Sequence, residues 1–395
     1  MAAIDFNELY KKYDSFHDPC CKVFLGDNDP SADKKLPISV NEVDIYLTSD
    51  FKASIAVFNL GGLYDSVSGE FLVAKAKKYL LLGMPVKLTM GYSENYTEVF
   101  RGYIARVDFS YDHEYPEETV IRVTAMDVKG VMMANNCSKR LKANYYSDAV
   151  KEIFDQGPYQ SLQSSEVITS ITVSDTPDKT SGGAGGAGGA GGAGGAGGQE
   201  VDNRIEMVAE SDYDFVVKAA KKFNYEFFSI GGNVAFRKAK ANTQELAEFS
   251  PSNIILSYDV SYDITGLAGQ VLVRTLDIGK ASKIEVKKKN AGKFSLGGKA
   301  KPLIASQSYV YIDSTIETQK DAETRAEYLL EDISYRLGSL RMTLVGLPEM
   351  VPGRFITLKN FGDAISNKFY ITDVNHKYVS GDQFITTIEG KASTL

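Results

Sequence analysis

The chain has 395 residues, 43% hydrophobic and 24% charged, enough for more than one packed core. Its net charge of −7 argues against a general nucleic-acid binder or a binder of anionic membranes. Cys20 and Cys21 are adjacent and Cys137 stands alone, without the spacing of a zinc site, and such sparse thiols suit a reducing cytoplasm.

The opening residues, MAAIDFNELYKKYDSFHD, have neither a basic nor an apolar leader segment, so no secretory signal is expected. Phe6, Leu9, Tyr10 and Tyr13 fall at helical spacing and predict a short amphipathic arm over 1–18. No apolar run reaches membrane-spanning length, so no membrane anchor is expected. From 19 to 130 the pattern is β. Val43, Ile45 and Leu47 alternate in VDIYLT, and PVKLTMGY, FRGYIARVDFSYD and ETVIRVTAMD continue the set.

Between 131 and 179 the period becomes helical, with Ala149, Val150, Ile153 and Phe154 on one face before the stop at Gly157-Pro158. Residues 180–200 hold a Gly-Gly-Ala repeat that has almost nothing to bury. It reads as a flexible tether of about 20–25 Å span, and its perfect repetition favours a replacement for a longer insertion over a natural loop. Over 201–250 an α/β pattern follows. Ser211 and Asp214 form a capping-box signature, Phe215, Val216, Ala219, Ala220 and Phe223 share a face, and Gly231-Gly232-Asn233 turns a hairpin. From 251 to 395 the β pattern resumes around one inserted helix, about 318–337, capped by Thr318 and Asp321 and stopped at Gly338.

Two strands echo each other. GYIARVDFSY (Gly102 to Tyr111) aligns with FYITDVNHKY (Phe369 to Tyr378) at a constant separation of 267 positions. Tyr103 meets Tyr370, Ile104 meets Ile371, Val107 meets Val374 and Tyr111 meets Tyr378. The apolar parity is the same in both, and each is flanked by similar strands. The expected fold is therefore β-rich α+β: two similar small antiparallel β-barrels of tube type flanking a small α/β middle region. Three chains with two such barrels each would make a ring of six.

Candidate chemistry is thin. Asp27, Asp29, Ser31 and Asp33 alternate like the start of a calcium loop, but Ala32 and Ile38 stand where Gly and Glu are required, and a solvated turn accounts better for them. GKFSLGGKA lacks the cradle and the metal ligand of a phosphate loop. His17, His113 and His376 have no nucleophile motif beside them, and His376 falls on the apolar face of the echoed strand, as a buried or interface histidine would. Asp212 and Asp214 could be imagined as a hydrolase pair, but at a helix start they fit capping. No catalytic residue, metal or cofactor is expected. Lys280, Lys283, Lys287, Lys288, Lys289, Lys293, Lys299 and Lys301 share their segment with only Glu285, which fits a solvated loop or a dock for an acidic neighbour centred on Lys287, Lys288 and Lys289.

Three stretches resemble the baseplate hub family of contractile phage tails, which includes late control protein D and the hub part of the VgrG spike proteins of type VI secretion. ESDYDFVVKAAKKFNYEFF carries the family pattern at Glu210, Ser211, Asp212, Tyr213 and Phe215, then at Tyr225, Phe227 and Phe228. LVGLPEMVPGRFITLKNFGDAISNKFYITDVNHKYVSGDQFITTIEG resembles the family's last barrel, and GMPVKLTMGYSENYTEVFRGYIARVDF its first. The resemblance implies a structural, non-enzymatic, virion-type component. It would be a homotrimer joining a spike to a tail tube or tube-initiator protein, among other baseplate components and a tape measure protein. It would assemble in the bacterial cytoplasm and reside in the baseplate of a phage or phage-like injection particle. VgrG chains continue past the hub into a needle; here the sequence stops at Leu395, so a separate spike polypeptide is expected. A tail-associated cell-wall hydrolase and a carbohydrate- or receptor-binding β module are the alternatives.

Overall fold

A computed structural model gives the fold, describing residues 4–35, 38–115, 119–178, 204–252, 254–277, 282–290, 299–313, 316 and 318–395. The Gly-Gly-Ala repeat, Lys280, Lys293 and most of the phosphate-loop-like stretch lie outside the described residues.

Twelve strands form one sheet. In the first half these are β1 (Pro19–Leu25), β2 (Ser39–Thr48), β3 (Ile55–Gly61), β4 (Pro85–Tyr92), β5 (Asn95–Ser110) and β6 (Val120–Met126). The middle region contributes its own small sheets, with β7 (Cys137–Arg140) on β9 (Glu206–Glu210), and β8 (Ser170–Val173) beside the hairpin β10 (Tyr225–Ile230) and β11 (Asn233–Lys238). In the second half come β12 (Glu245–Phe249) and β13 (Ile255–Tyr262). A separate three-stranded sheet follows, β14 (Gln270–Asp277), β15 (Ser282–Lys289) and β16 (Ser308–Ile312), and then β17 (Gly338–Val345), β18 (Phe355–Leu358), β19 (Lys368–Val379) and β20 (Gln383–Ala392).

The large sheet runs β1-β4-β5-β6-β3-β2-β19-β20-β17-β13, with β18 branching from β19 and β12 pairing with β18. Taken in chain order, β2, β3, β4, β5, β6 pair as third-fourth-fifth-second-first, and β13, β17, β18, β19, β20 pair in that same order. The two halves are thus built on one topology. No pair of closed barrels forms among the described residues. The outer edge of β2, which would have to close the first half on itself, is hydrogen-bonded to β19 from Glu42↔Val379 to Thr48↔Asp373, and a strand edge can pair only once. One continuous core accordingly spans both halves, from Leu9 through Phe58 and Phe100 to Phe369 and Ile388.

Among the described residues the α-helices of five residues or more are α1 (Phe6–Lys12), α2 (Val128–Met132), α3 (Tyr146–Phe154), α4 (Gly157–Ser164), α5 (Asp212–Phe223) and α6 (Gln319–Ser334). The arm α1 lies across the two halves: Lys12 pairs with Glu349 at 2.8 Å, and the Tyr13 hydroxyl donates to the same carboxylate at 2.5 Å. The middle region has its own core around Phe154, Phe215, Phe227 and Phe236. Helix α6 buries Ala322, Ala326, Leu330 and Ile333 against Val271, Val273, Ile284 and Val286 of the small sheet, a unit inserted between β13 and β17. In the first half the equivalent connection, between β2 and β3, is only residues 49–54.

Candidate assembly surface

The echoed strands occupy equivalent places. β5 is the middle strand of β4-β5-β6, and β19 of β18-β19-β20. Each ladder breaks register at one point: β5 skips Ala105 against β6, and β19 skips Thr372 against β20. These positions are also 267 apart. A second bulge recurs in the first strands, at Asn41 in β2 and Leu256 in β13. Bulges fix register and twist, so two coincident bulges align the halves residue by residue.

Within this frame Ile104 and Ile371 are fully buried. Tyr103 is half-buried; desolvation and the nearby Asp127 push its hydroxyl up to about 12. A Cβ at position 130 would fall 2.4 Å from that hydroxyl, so Gly130 makes room for it. Tyr370 is buried, and its hydroxyl donates to Glu226 of β10. Glu226 also accepts from Arg237 Nε at 2.6 Å, and Arg237 donates to the Gly353 carbonyl at 2.9 Å. The backbone of Gly353 is left-handed (φ 78°), which glycine permits. This buried node bolts the middle region to the second half.

The seam between β2 and β19 buries Val43, Ile45 and Leu47 against Val374, His376 and Tyr378. His376 is uncharged there. Its Nε2–H donates to the Met350 carbonyl at 3.1 Å, its Nδ1 accepts from the Thr386 hydroxyl at 2.9 Å, and burial lowers its pKa to about 4. The seam's loop is held from below by Lys129 in α2. Its buried ammonium donates to the carbonyls of Asp50 (3.0 Å) and Lys52 (2.5 Å), while Asp127 accepts from the backbone of Ser54 and Lys129, each at 2.9 Å.

The positions equivalent to this seam elsewhere in the chain are open. β13 ends the sheet, and the last turn of β5 beyond Ala105 pairs only with β6 among the described residues. There the side chains are exposed: Phe109 by 48%, Tyr111 by 54%, Leu256 by 54% and Tyr258 by 45%. Val107 is partly buried.

In the middle region Ser211 caps α5 with Asp214 in a reciprocal box, and Asn224 ends the helix in the left-handed conformation. Asp212 is buried and accepts from Tyr159 Oη (2.7 Å), Asn135 Nδ2 (2.7 Å) and Lys139 Nζ (3.3 Å). Glu210 pairs with Lys218 at 2.6 Å, Tyr213 donates to the Phe51 carbonyl at 3.0 Å, and Tyr225 to that of Asp175 at 2.7 Å. Phe215 and Phe227 fill the core, and Phe228 packs under Arg237. The motif residues therefore hold elements together, and the acids at 212 and 214 are engaged by protein donors. So are two of the three acids of the calcium-like turn: Asp33 accepts from Lys78 and Tyr79, each at 2.7 Å, and Asp29 caps Ser31 at 2.9 Å.

No protein-family model matches the sequence, and a search of curated proteins finds no match. Solved structures do match over nearly the whole chain. A tail protein from Neisseria meningitidis MC58 is similar at TM-score 0.64 and 11% identity, covering 95% of this chain and 97% of that one. The 43 kDa tail protein of prophage MuSo2 from Shewanella oneidensis is similar at 0.63 and 10%, covering 94% and 98%. An E. coli component of the type VI secretion system, itself described as similar to bacteriophage T4 tail proteins, follows at 0.52 and 8%, covering 93% and 76%. The fold is that of phage tail proteins.

Within this tail-protein fold the lysine cluster is split by the pleat of β15. Lys288 turns toward α6 and pairs with Glu327 at 2.8 Å, whereas Lys287 and Lys289 are exposed on the opposite face. The sequence reading missed Glu226, Arg237 and Lys129, each a charge inside an otherwise apolar pattern. It also missed the open edges, whose Phe109, Tyr111 and Tyr258 look like ordinary strand residues.

Proposed function

We propose that the chain is a structural, non-enzymatic baseplate hub protein of a contractile phage tail or phage-like contractile injection system. Three copies form a ring of six equivalent units that joins a separate spike protein to the tail tube or tube-initiator protein. The observation that carries this reading is the five-strand unit repeated in one chain with the same strand order and the same two bulges. Such a trimer offers a pseudo-six-fold face to a tube and keeps a three-fold axis for a spike. The tail-protein fold supports it.

In this reading the functional units are the arm 1–18, the tube-type units 19–130 and 251–395, and the middle region 131–250 between them. The ring assembles in the bacterial cytoplasm and resides in the baseplate of the particle, beside other baseplate components and a tape measure protein. Lys287 and Lys289, with Lys288 behind them, dock an acidic neighbour in that assembly. Light scattering with negative-stain imaging tests the reading: a mass of three chains and six-lobed rings are expected. A monomer at every concentration, including in the presence of the particle's spike, refutes it.

A further inference from the structure

We propose that a second copy of this chain pairs its β13 edge, antiparallel, with the distal half of β5, repeating between molecules the seam that β2 makes with β19 inside one. The proposal rests on the hub reading and adds to it the contact and the register by which copies join.

The register follows from the repeat. The bulges at Asn41 and Leu256 set β2 on β13, 215 positions apart, and those at Ala105 and Thr372 set β5 on β19, 267 apart. Inside the chain Val43 faces Tyr378, Ile45 faces His376, Leu47 faces Val374 and Thr48 faces Asp373. Transferred, Tyr258 faces Tyr111 of the next copy, Val260 faces Phe109, Tyr262 faces Val107 and Asp263 faces Arg106.

Three independent features fit that pairing. Both edges have unpaired backbone groups among the described residues, and long open edges are sites for strand addition. The exposed rings of Phe109, Tyr111 and Tyr258 stand where the internal seam has the buried His376, Tyr378 and Val43. The transferred register also brings opposite charges together. Arg106, whose side chain is 72% exposed and, among the described residues, paired only with its neighbour Asp108, would meet Asp263 at the end of β13.

The occupant is another copy because the two complementary edges belong to one chain and lie toward opposite ends of its sheet. A head-to-tail contact of this kind closes into a ring or runs into a filament. The repeated operator is the one already present between the two halves, so each new contact continues the same sheet.

Oxidative cross-linking tests the register. Val260→Cys with Phe109→Cys, and separately Ser261→Cys with Asp108→Cys, sample both kinds of antiparallel pair. Each double variant should give an oxidant-dependent ladder up to the trimer on denaturing gels, and the single variants should not. As a second readout, Arg106→Glu or Asp263→Lys alone should weaken self-association by about tenfold or more, and the double exchange should restore it. An oligomer that cross-links at neither pair, or that ignores the charge changes, overturns the seam and leaves the hub reading standing. A monomer under all conditions overturns both.

Discussion

Replacing Lys129 with Met removes a charge while keeping the length and most of the packing of the side chain. The ammonium is fully buried, and it is the donor for the carbonyls of Asp50 and Lys52 in the loop that flanks the β2–β19 seam. The substitution leaves both carbonyls without that donor, at about 1–3 kcal/mol each. It also removes the cation whose field opposes the desolvation of the buried Asp127, and stranding a buried charge costs at most about 3–5 kcal/mol. These effects overlap, so the expected loss is about 3–5 kcal/mol. The chain has no Trp and 23 Tyr, so urea unfolding followed by tyrosine fluorescence is the suitable assay. The midpoint should fall, and the additional change Asp127→Asn should recover about 1–3 kcal/mol through the coupling of the pair. A loss within about 0.5 kcal/mol would refute the role given to this lysine.

His376 makes stability pH-dependent with a defined sign. Its folded pKa of about 4 lies below the ordinary 6.5, so the unfolded chain takes up the proton first on acidification. Stability is held above pH 6.5 and lost as pH falls toward 4, by about 3 kcal/mol in all; thermal unfolding across that range checks it, and His376→Gln should flatten the profile. At the node between the middle region and the second half, Glu226→Ala should cost about 3 kcal/mol by stranding Arg237, and Tyr370→Phe only about 1–2. Calorimetry giving the reverse order would count against the node. Asp212→Ala should destabilise the middle region by about 2–4 kcal/mol, more than the roughly 1 kcal/mol for Ser211→Ala, as measured by hydrogen exchange in α5.

Local signals were legible in the sequence. The capping box at Ser211 and Asp214 set the start of α5, and Thr318 set that of α6, which ends at Ser334, three residues before the expected 337. The echo of β5 in β19 was legible because alternation and identity coincide over ten residues. The join between the halves was not. β2 meets β19 across more than 320 positions, and a long-range register leaves no local pattern. The insertion of β14–β16 and α6 hid the kinship of β13 with β2 by separating β13 from its partner β17. Glu226 sat unremarked in an aromatic strand because only the fold reveals that Tyr370 and Arg237 converge on it.

The inserted module hangs from only one of two otherwise matching frames; its counterpart is the tight loop at residues 49–54. A collar assembled from such chains would carry an appendage on every other sector. Its scaffold would look alike at each sixth of a revolution, while its decoration would return only at each third, so a neighbour gripping the appendages would sense a different periodicity from one resting on the strands.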